Sequence, residues 1–192
     1  MTPMENPPKP KKVFAFIKEI LIYAVIAIVV VVPIRIWIAQ PFVVSGDSMD
    51  TTFQNGQYLI INELSYELGS PSRGDVMIFK YPLDPKEYFI KRVIGLPGET
   101  VNIHENVVSV TPVGTTTPFV LSEPYIQGGT FGDETVTLDA GEYFVMGDNR
   151  AVSSDSRIWG PVPTADIVGT PLLRLLPLSS IAFHPGDVHF SE

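Results

Sequence analysis

The sequence predicts a mainly β protein, with one N-terminal transmembrane helix followed by an antiparallel β domain. Three observations carry that expectation. A long apolar run lies close to the N-terminus. From residue 40 onward, short apolar segments alternate with turn signals at strand-like spacing. The 18 prolines and 15 glycines among 192 residues favour turn-rich β structure over a helical bundle.

Residues 1–12, MTPMENPPKPKK, are rich in proline and lysine and are expected to form a disordered cytoplasmic tail. The anchor is expected over 13–39. Its apolar centre, ILIYAVIAIVVVVPIRIWI from Ile20 to Ile38, would span roughly 28 Å as a helix, close to the ~30 Å hydrocarbon core of a bilayer. Arg35 lies near one end, where its stem can snorkel, and Trp37 suits the interfacial belt. Pro33 is tolerated near the end of a membrane helix. A buried core helix is the plainer alternative, but no charge interrupts Ile20–Ile34. A cleavable secretory signal fits poorly, because Trp37 stands two positions before Ala39 where a small residue is wanted. Lys9, Lys11, Lys12 and Lys18 precede the span, which places the N-terminus in the cytoplasm and residues 40–192 outside. Charge follows the same division. Residues 1–39 carry five basic and two acidic side chains, a net +3, which leaves −11 on the rest of a chain of net −8.

In the extracytoplasmic part, strands are expected at Pro41–Val44, Tyr58–Ile61, Val76–Tyr81, Tyr88–Ile94, Thr100–Ile103, Val107–Val110, Thr135–Leu138 and Tyr143–Met146. Breakers such as Asn55-Gly56, Ser72–Gly74, Pro97-Gly98 and Gly147–Asn149 separate them. Residues 111–134 read as an elaborated loop or small β insertion with no chemistry of their own. The C-terminal tail, PLSSIAFHPGDVHFSE, offers at most a last strand. The absence of cysteine excludes a disulfide framework, a thiolate zinc site and a cysteine nucleophile. The acidic balance argues against binding nucleic acid by phosphate neutralisation.

Candidate chemistry starts at Ser48, in Ser45-Gly46-Asp47-Ser48-Met49, just after an apolar strand. A glycine there allows a tight turn that exposes the hydroxyl and aims a backbone N–H at the same spot as an oxyanion donor. Such serines more often only stabilise a turn. A nucleophilic serine also needs a base. His104, His184 and His189 stand apart from the glycine-rich motifs and read as surface or strand residues. No spacing suggests a metal, and no cofactor is expected. Lys91 remains. In Tyr88-Phe89-Ile90-Lys91-Arg92-Val93-Ile94 the period of two places it between Phe89 and Val93 on one face, where lost hydration lowers an ammonium pKa. Arg92 falls on the other face and cannot act as a base. An edge-strand lysine that blocks aggregation fits the same segment, and alone the segment favours that reading. A third motif, Gly147-Asp148-Asn149-Arg150-Ala151-Val152-Ser153-Ser154-Asp155-Ser156-Arg157, is dense in hydrogen-bonding groups. It reads either as a solvated loop or as support for a nearby site.

Together these motifs resemble the bacterial type I signal peptidases, membrane-anchored serine–lysine proteases that remove signal peptides. GDSMDTTF (46–53), RGDVMIF (73–79), KRVIGLPGE (91–99) and GDNRAVSSDSRIWGPV (147–162) match in the family's order. The resemblance implies an antiparallel β catalytic domain of signal-peptidase type over 40–192, with an apolar surface resting on the bilayer. It implies Ser48 as nucleophile and Lys91 as general base, with Ser153 orienting the lysine amine. Asp148, Arg92, Asp155 and Arg157 become ion-paired supports. The implied partners are preproteins with small residues at −1 and −3 and the lipid bilayer. Two departures stand out: Thr51 and Phe53 replace the family's usual proline and leucine, and Gly46 leaves the Ser48 backbone N–H as the identified oxyanion donor. A self-cleaving serine–lysine repressor would need a DNA-binding module and no span, the reverse of this chain. A tethered β binding module would not explain the lysine and GDNR blocks together. A relative specialised for one client remains compatible with the sequence.

Overall fold

The computed structural model describes the backbone over residues 10–37 and 40–188, with side chains over 14–30, 40–66 and 68–188. The chain divides into two compact units, 1–38 and 39–192.

The first unit is helix α1, Pro10–Trp37, whose 28 residues extend roughly 42 Å. Most of the expected disordered tail, residues 1–9, lies outside the described residues, while Pro10–Lys12 form the first turn of α1. Its side chains over 14–30 are exposed, large apolar ones included. Among the described residues no helix is long and apolar enough to cross a membrane. The described side chains end at residue 30, partway through the apolar run Ile20–Ile38.

The second unit is mainly antiparallel β. In chain order its strands are β1 (Gln40–Val43), β2 (Tyr58–Asn62), β3 (Val76–Tyr81), β4 (Asp84–Gly95), β5 (Thr100–His104), β6 (Val107–Thr111), β7 (Phe119–Val120), β8 (Glu134–Thr137), β9 (Glu142–Met146), β10 (Val162–Pro163), β11 (Ile167–Leu176) and β12 (Ala182–Phe183). Two short helices, α2 (Leu64–Leu68) and α3 (Ser156–Trp159), join them. The larger sheet runs β1-β2-β11-β3-β4-β9-β10, with β12 against β11. The smaller runs β7-β6-β5-β8.

Each strand expected from the pattern exists, with ends moved by a residue or two except in β4. That strand starts at Asp84, because a two-residue turn at Pro82-Leu83 folds it straight back on β3, pairing Tyr81 with Asp84 and Met77 with Lys91. The segment 111–134 supplies the last residue of β6, all of β7 and the start of β8 to the smaller sheet, and is otherwise loop. The sequence pattern missed β11. Its PLLRLLP stretch shows no alternation and carries Pro171, which argues against a central strand. The structure accommodates it through register shifts against β2 between Pro171 and Leu173 and between Arg174 and Leu176. These bulges fall at Leu172 and Leu175 and interrupt the alternation, while Pro171 itself stays opposite Ile61.

β3 explains why its sequence, Val-Met-Ile-Phe, is apolar throughout. Val76 and Ile78 join one buried cluster with Val44, Met49, Phe53, Leu59 and Ile61. Met77 and Phe79 face the other way, into a cluster with Val93, Tyr143, Val145 and Val162. Alternate side chains of a strand point to opposite faces, so burial on both faces demands apolar residues at every position. The first of these clusters lies directly under the Ser48 turn.

Candidate active site

Two elements bring Ser48 and Lys91 together. The Ser48 turn follows β1, and Gly46 within it has φ +88°, a conformation open to glycine at little cost. Gly46 N–H donates to the Asn55 side chain at 3.1 Å, closing the loop on itself. Met49 and Phe53, both buried, fix the other side of the turn in the core below. Lys91 stands on β4 beside Phe89, and its side chain is buried at 4% exposure. Its Nζ lies 2.8 Å from Ser48 Oγ and donates to Ile90 O at 3.0 Å. The Phe89 ring centroid is 5.1 Å from the same nitrogen. Burial pushes the Lys91 ammonium down from 10.5 to about 8, against the opposing pull of Asp155 and Asp148. An amine with that pKa is partly neutral near physiological pH and can accept a proton from an adjacent hydroxyl.

The GDNR motif packs against Ser48 from behind. Asn149 N–H donates to the Ser48 carbonyl at 3.0 Å. A Cβ at Gly147 would fall 2.3 Å from both Ser48 O and Ser153 Oγ, so only glycine allows this approach. Arg92 and Asp148 form a buried bidentate ion pair, Nε to Oδ1 at 2.8 Å and Nη2 to Oδ2 at 2.6 Å. Arg92 Nη1 also donates to the carbonyls of Gly74 and Gly186. Asp155 takes two bonds from Arg157, Nε at 2.8 Å and Nη2 at 2.9 Å, caps α3, and accepts from Gly147 N–H at 3.0 Å. The expected ion-pair residues therefore meet as two pairs. Ser153 is buried beside Gly147, but among the described residues its hydroxyl has no hydrogen-bond partner and does not bond Lys91.

Other expectations sort plainly. His104 is exposed and pairs with Asp133, and His184 is exposed near Asp187. His189 lies outside the described residues. Among the described residues no group of His, Asp and Glu could hold a metal. Phe53 is fully buried. Thr51 has φ +95°, a conformation proline could not adopt and a β-branched residue rarely does.

The sequence reading missed two buried ion pairs, Arg73 with Glu99 and Arg150 with Glu123. Arg73, Glu99 and Arg150 each stand in a quoted motif, but nothing in the spacing says which charge meets which. It also missed Tyr125, whose ring lies 4.1 Å from the Arg92 guanidinium.

A cleft of ≈ 540 Å³ opens beside Ser48 and Lys91, walled by residues 42–48 on one side and 87–91 on the other, with Leu59 and Ile78 among its apolar lining and Val152 and Ser154 at its margin. Among the described residues β1 pairs only with β2, and β4 before Arg92 only with β3, so both walls present free strand edges. The Phe42 and Tyr88 rings meet across it edge to face, centroids 5.5 Å apart.

A serine hydroxyl beside a buried amine, at the base of a cleft with unpaired strand edges, is an arrangement suited to peptide hydrolysis. The family model for signal peptidase, peptidase S26, matches residues 17–176, and the chain belongs to that family. It is accordingly a hydrolase, a serine peptidase of the signal peptidase I kind. Among relatives, a probable signal peptidase I-1 of Synechocystis is 34% identical over 183 residues, covering 92% of this chain and 90% of that one. A signal peptidase I of Bacillus caldolyticus is 36% identical over 169 residues, 82% of this chain and 91% of its own. A crystal structure of a signal peptidase I from Enterococcus faecalis aligns with 52% of this chain and 95% of its own at 33% identity, with a TM-score of 0.45.

Proposed function

We propose that this enzyme is membrane-bound and cleaves N-terminal signal peptides from exported preproteins with a Ser48–Lys91 dyad. The observation that carries the dyad is the 2.8 Å contact between Lys91 Nζ and Ser48 Oγ at a buried lysine of lowered pKa.

Neutral Lys91 takes the Ser48 proton as the hydroxyl attacks the scissile carbonyl. The Ser48 backbone N–H, aimed by the Gly46 turn, donates to the oxyanion. Lys91 then passes its proton to the leaving amine, and an ester remains on Ser48. Water deprotonated by Lys91 hydrolyses that ester and restores the dyad. The ion pairs serve the base indirectly. Asp148 and Asp155 both favour protonated Lys91, and each carries an arginine of its own, Arg92 and Arg157, that offsets its charge. Ser153, buried at the same turn with its hydroxyl free, orients the amine after a rotation of one side-chain torsion.

The substrate chain lies extended in the cleft and pairs with the free edges of β1 and β4. Small −1 and −3 residues follow from the family. The apolar run from Ile20 anchors the enzyme, with the lysine-rich segment on the cytoplasmic side and the β unit outside. Leu176, Leu178, Ile181 and Phe183, 47–74% exposed within eight residues, supply an apolar surface for the bilayer.

The test is cleavage of a preprotein in liposomes by wild type, Ser48→Ala and Lys91→Ala, with mass spectrometry of the products. Release of a mature N-terminus after a small residue by wild type, and by neither folded variant, is the expected result. Full activity in Lys91→Ala would require a different base.

A further inference from the structure

The segment 111–134 carries no motif of its own, yet its Glu123–Tyr125 arm contacts residues close in sequence to both halves of the dyad. The Tyr125 ring lies 4.1 Å from the Arg92 guanidinium, next in sequence to Lys91. The Tyr125 carbonyl accepts from Thr51 Oγ1 at 2.9 Å, three residues after Ser48. Tyr125 Oη donates to Glu123 at 2.9 Å, and Glu123 is the counter-ion of buried Arg150. Arg150 Nε in turn donates to Gly147 O at 3.0 Å, in the loop that holds the Ser48 carbonyl.

Thr51 shows why such a brace is needed. A β-branched residue at φ +95° is strained and persists only where its surroundings over-determine it. Here its neighbours are held from several sides. Thr52 Oγ1 donates to Asp148, and Arg174 donates to Thr52 O at 2.7 Å while its guanidinium covers the Phe53 ring. Thr51 itself is tied to the Tyr125 arm.

We infer that Tyr125 is a positioning residue for the dyad: its ring seats Arg92 on the face of β4 opposite Lys91, and its backbone fixes the strained turn that carries Ser48. The inference rests on the Ser48–Lys91 reading. Neither Tyr125 nor Glu123 lines the substrate cleft. Loss of the arm therefore lowers the rate of the chemical step and leaves substrate binding intact.

The experiment measures kcat and KM separately on a short fluorogenic peptide carrying Ala-X-Ala, using the full-length enzyme well below its melting temperature. The variants are Tyr125→Phe, Tyr125→Leu, Thr51→Val and Ser48→Ala. Small displacements of reacting groups cost up to about a hundredfold, so Tyr125→Leu and Thr51→Val are expected to lose roughly tenfold in kcat at unchanged KM. Tyr125→Phe, which keeps the ring, stays within about twofold. A Leu variant within twofold of wild type overturns the inference, as do Phe and Leu variants that fall equally. If Tyr125→Leu does not fold, Thr51→Val decides by the same criterion. Activity in Ser48→Ala would overturn the dyad and this inference together, whereas an inactive Ser48→Ala beside normal Tyr125 and Thr51 variants overturns this inference alone.

Discussion

At the scale of single residues, environment decides chemistry. Lys91 and Lys86 stand on the same strand, Lys86 exposed and Lys91 buried, and burial draws the Lys91 pKa toward neutrality. The period of two places Phe89, Lys91 and Val93 on one face, but that segment alone favours an exposed edge-strand lysine, and only the resemblance points to a buried base. Ser153 is a case where spacing was not enough. Its place in the motif was clear, but its hydroxyl points without a partner, and torsion angles are not written in sequence. A buried hydroxyl that bonds nothing contributes little to stability, so Ser153→Ala is expected to leave the melting temperature unchanged or slightly raised. If Ser153 orients the amine, the same variant loses roughly tenfold in kcat, since a positioned base is worth about a hundredfold or more. Thermal unfolding and steady-state kinetics on one preparation separate the two effects. A destabilised variant of full activity would make Ser153 structural instead.

At the scale of elements, the strands that present clean alternation or short apolar runs between breakers were all readable, and β11 was not. Its pairing is set by β2 and β3 on either side, and its bulges take Leu172 and Leu175 out of register with β2, so the local pattern carries little of the information. The ion pairs Arg73–Glu99 and Arg150–Glu123 were illegible for the same reason: each joins residues separated by more than twenty positions through tertiary contact. The GDNR loop was legible as a polar loop, and its closeness to Ser48 depends on Gly147. Gly147→Ala places a methyl against the Ser48 carbonyl, a backbone atom that cannot swing away. Overpacking of this kind costs typically about 1–3 kcal/mol, and here it also displaces the nucleophile. Denaturant melts should show that loss together with a fall in kcat of at least about tenfold. A variant as stable and as active as wild type would mean the loop can retreat freely.

At the scale of the whole molecule, the chain joins an apolar, basic N-terminal segment to an acidic β unit of net −11 in a chain of net −8. If the apolar run anchors the enzyme, membrane-inserted preproteins share its surface, and their effective concentration rises without any new contact. Removal of residues 1–39 is therefore expected to spare cleavage of short soluble peptides and to weaken processing of preproteins in liposomes by at least about tenfold. Equal loss on both substrates would place the contribution of this segment in the fold of the β unit rather than in tethering.

The central claim is that Lys91 can be neutral beside Ser48. Its protonated form dominates below its pKa, so kcat/KM should rise with pH through about 8. The direct measurement is the titration of the Lys91 side-chain nitrogen by NMR in the folded enzyme, with Lys91→Arg to assign the resonance. A midpoint near 8 that coincides with the rising limb of kcat/KM is the predicted result. A midpoint near the ordinary 10.5, with activity already full at neutral pH, would contradict a lysine base and the mechanism built on it.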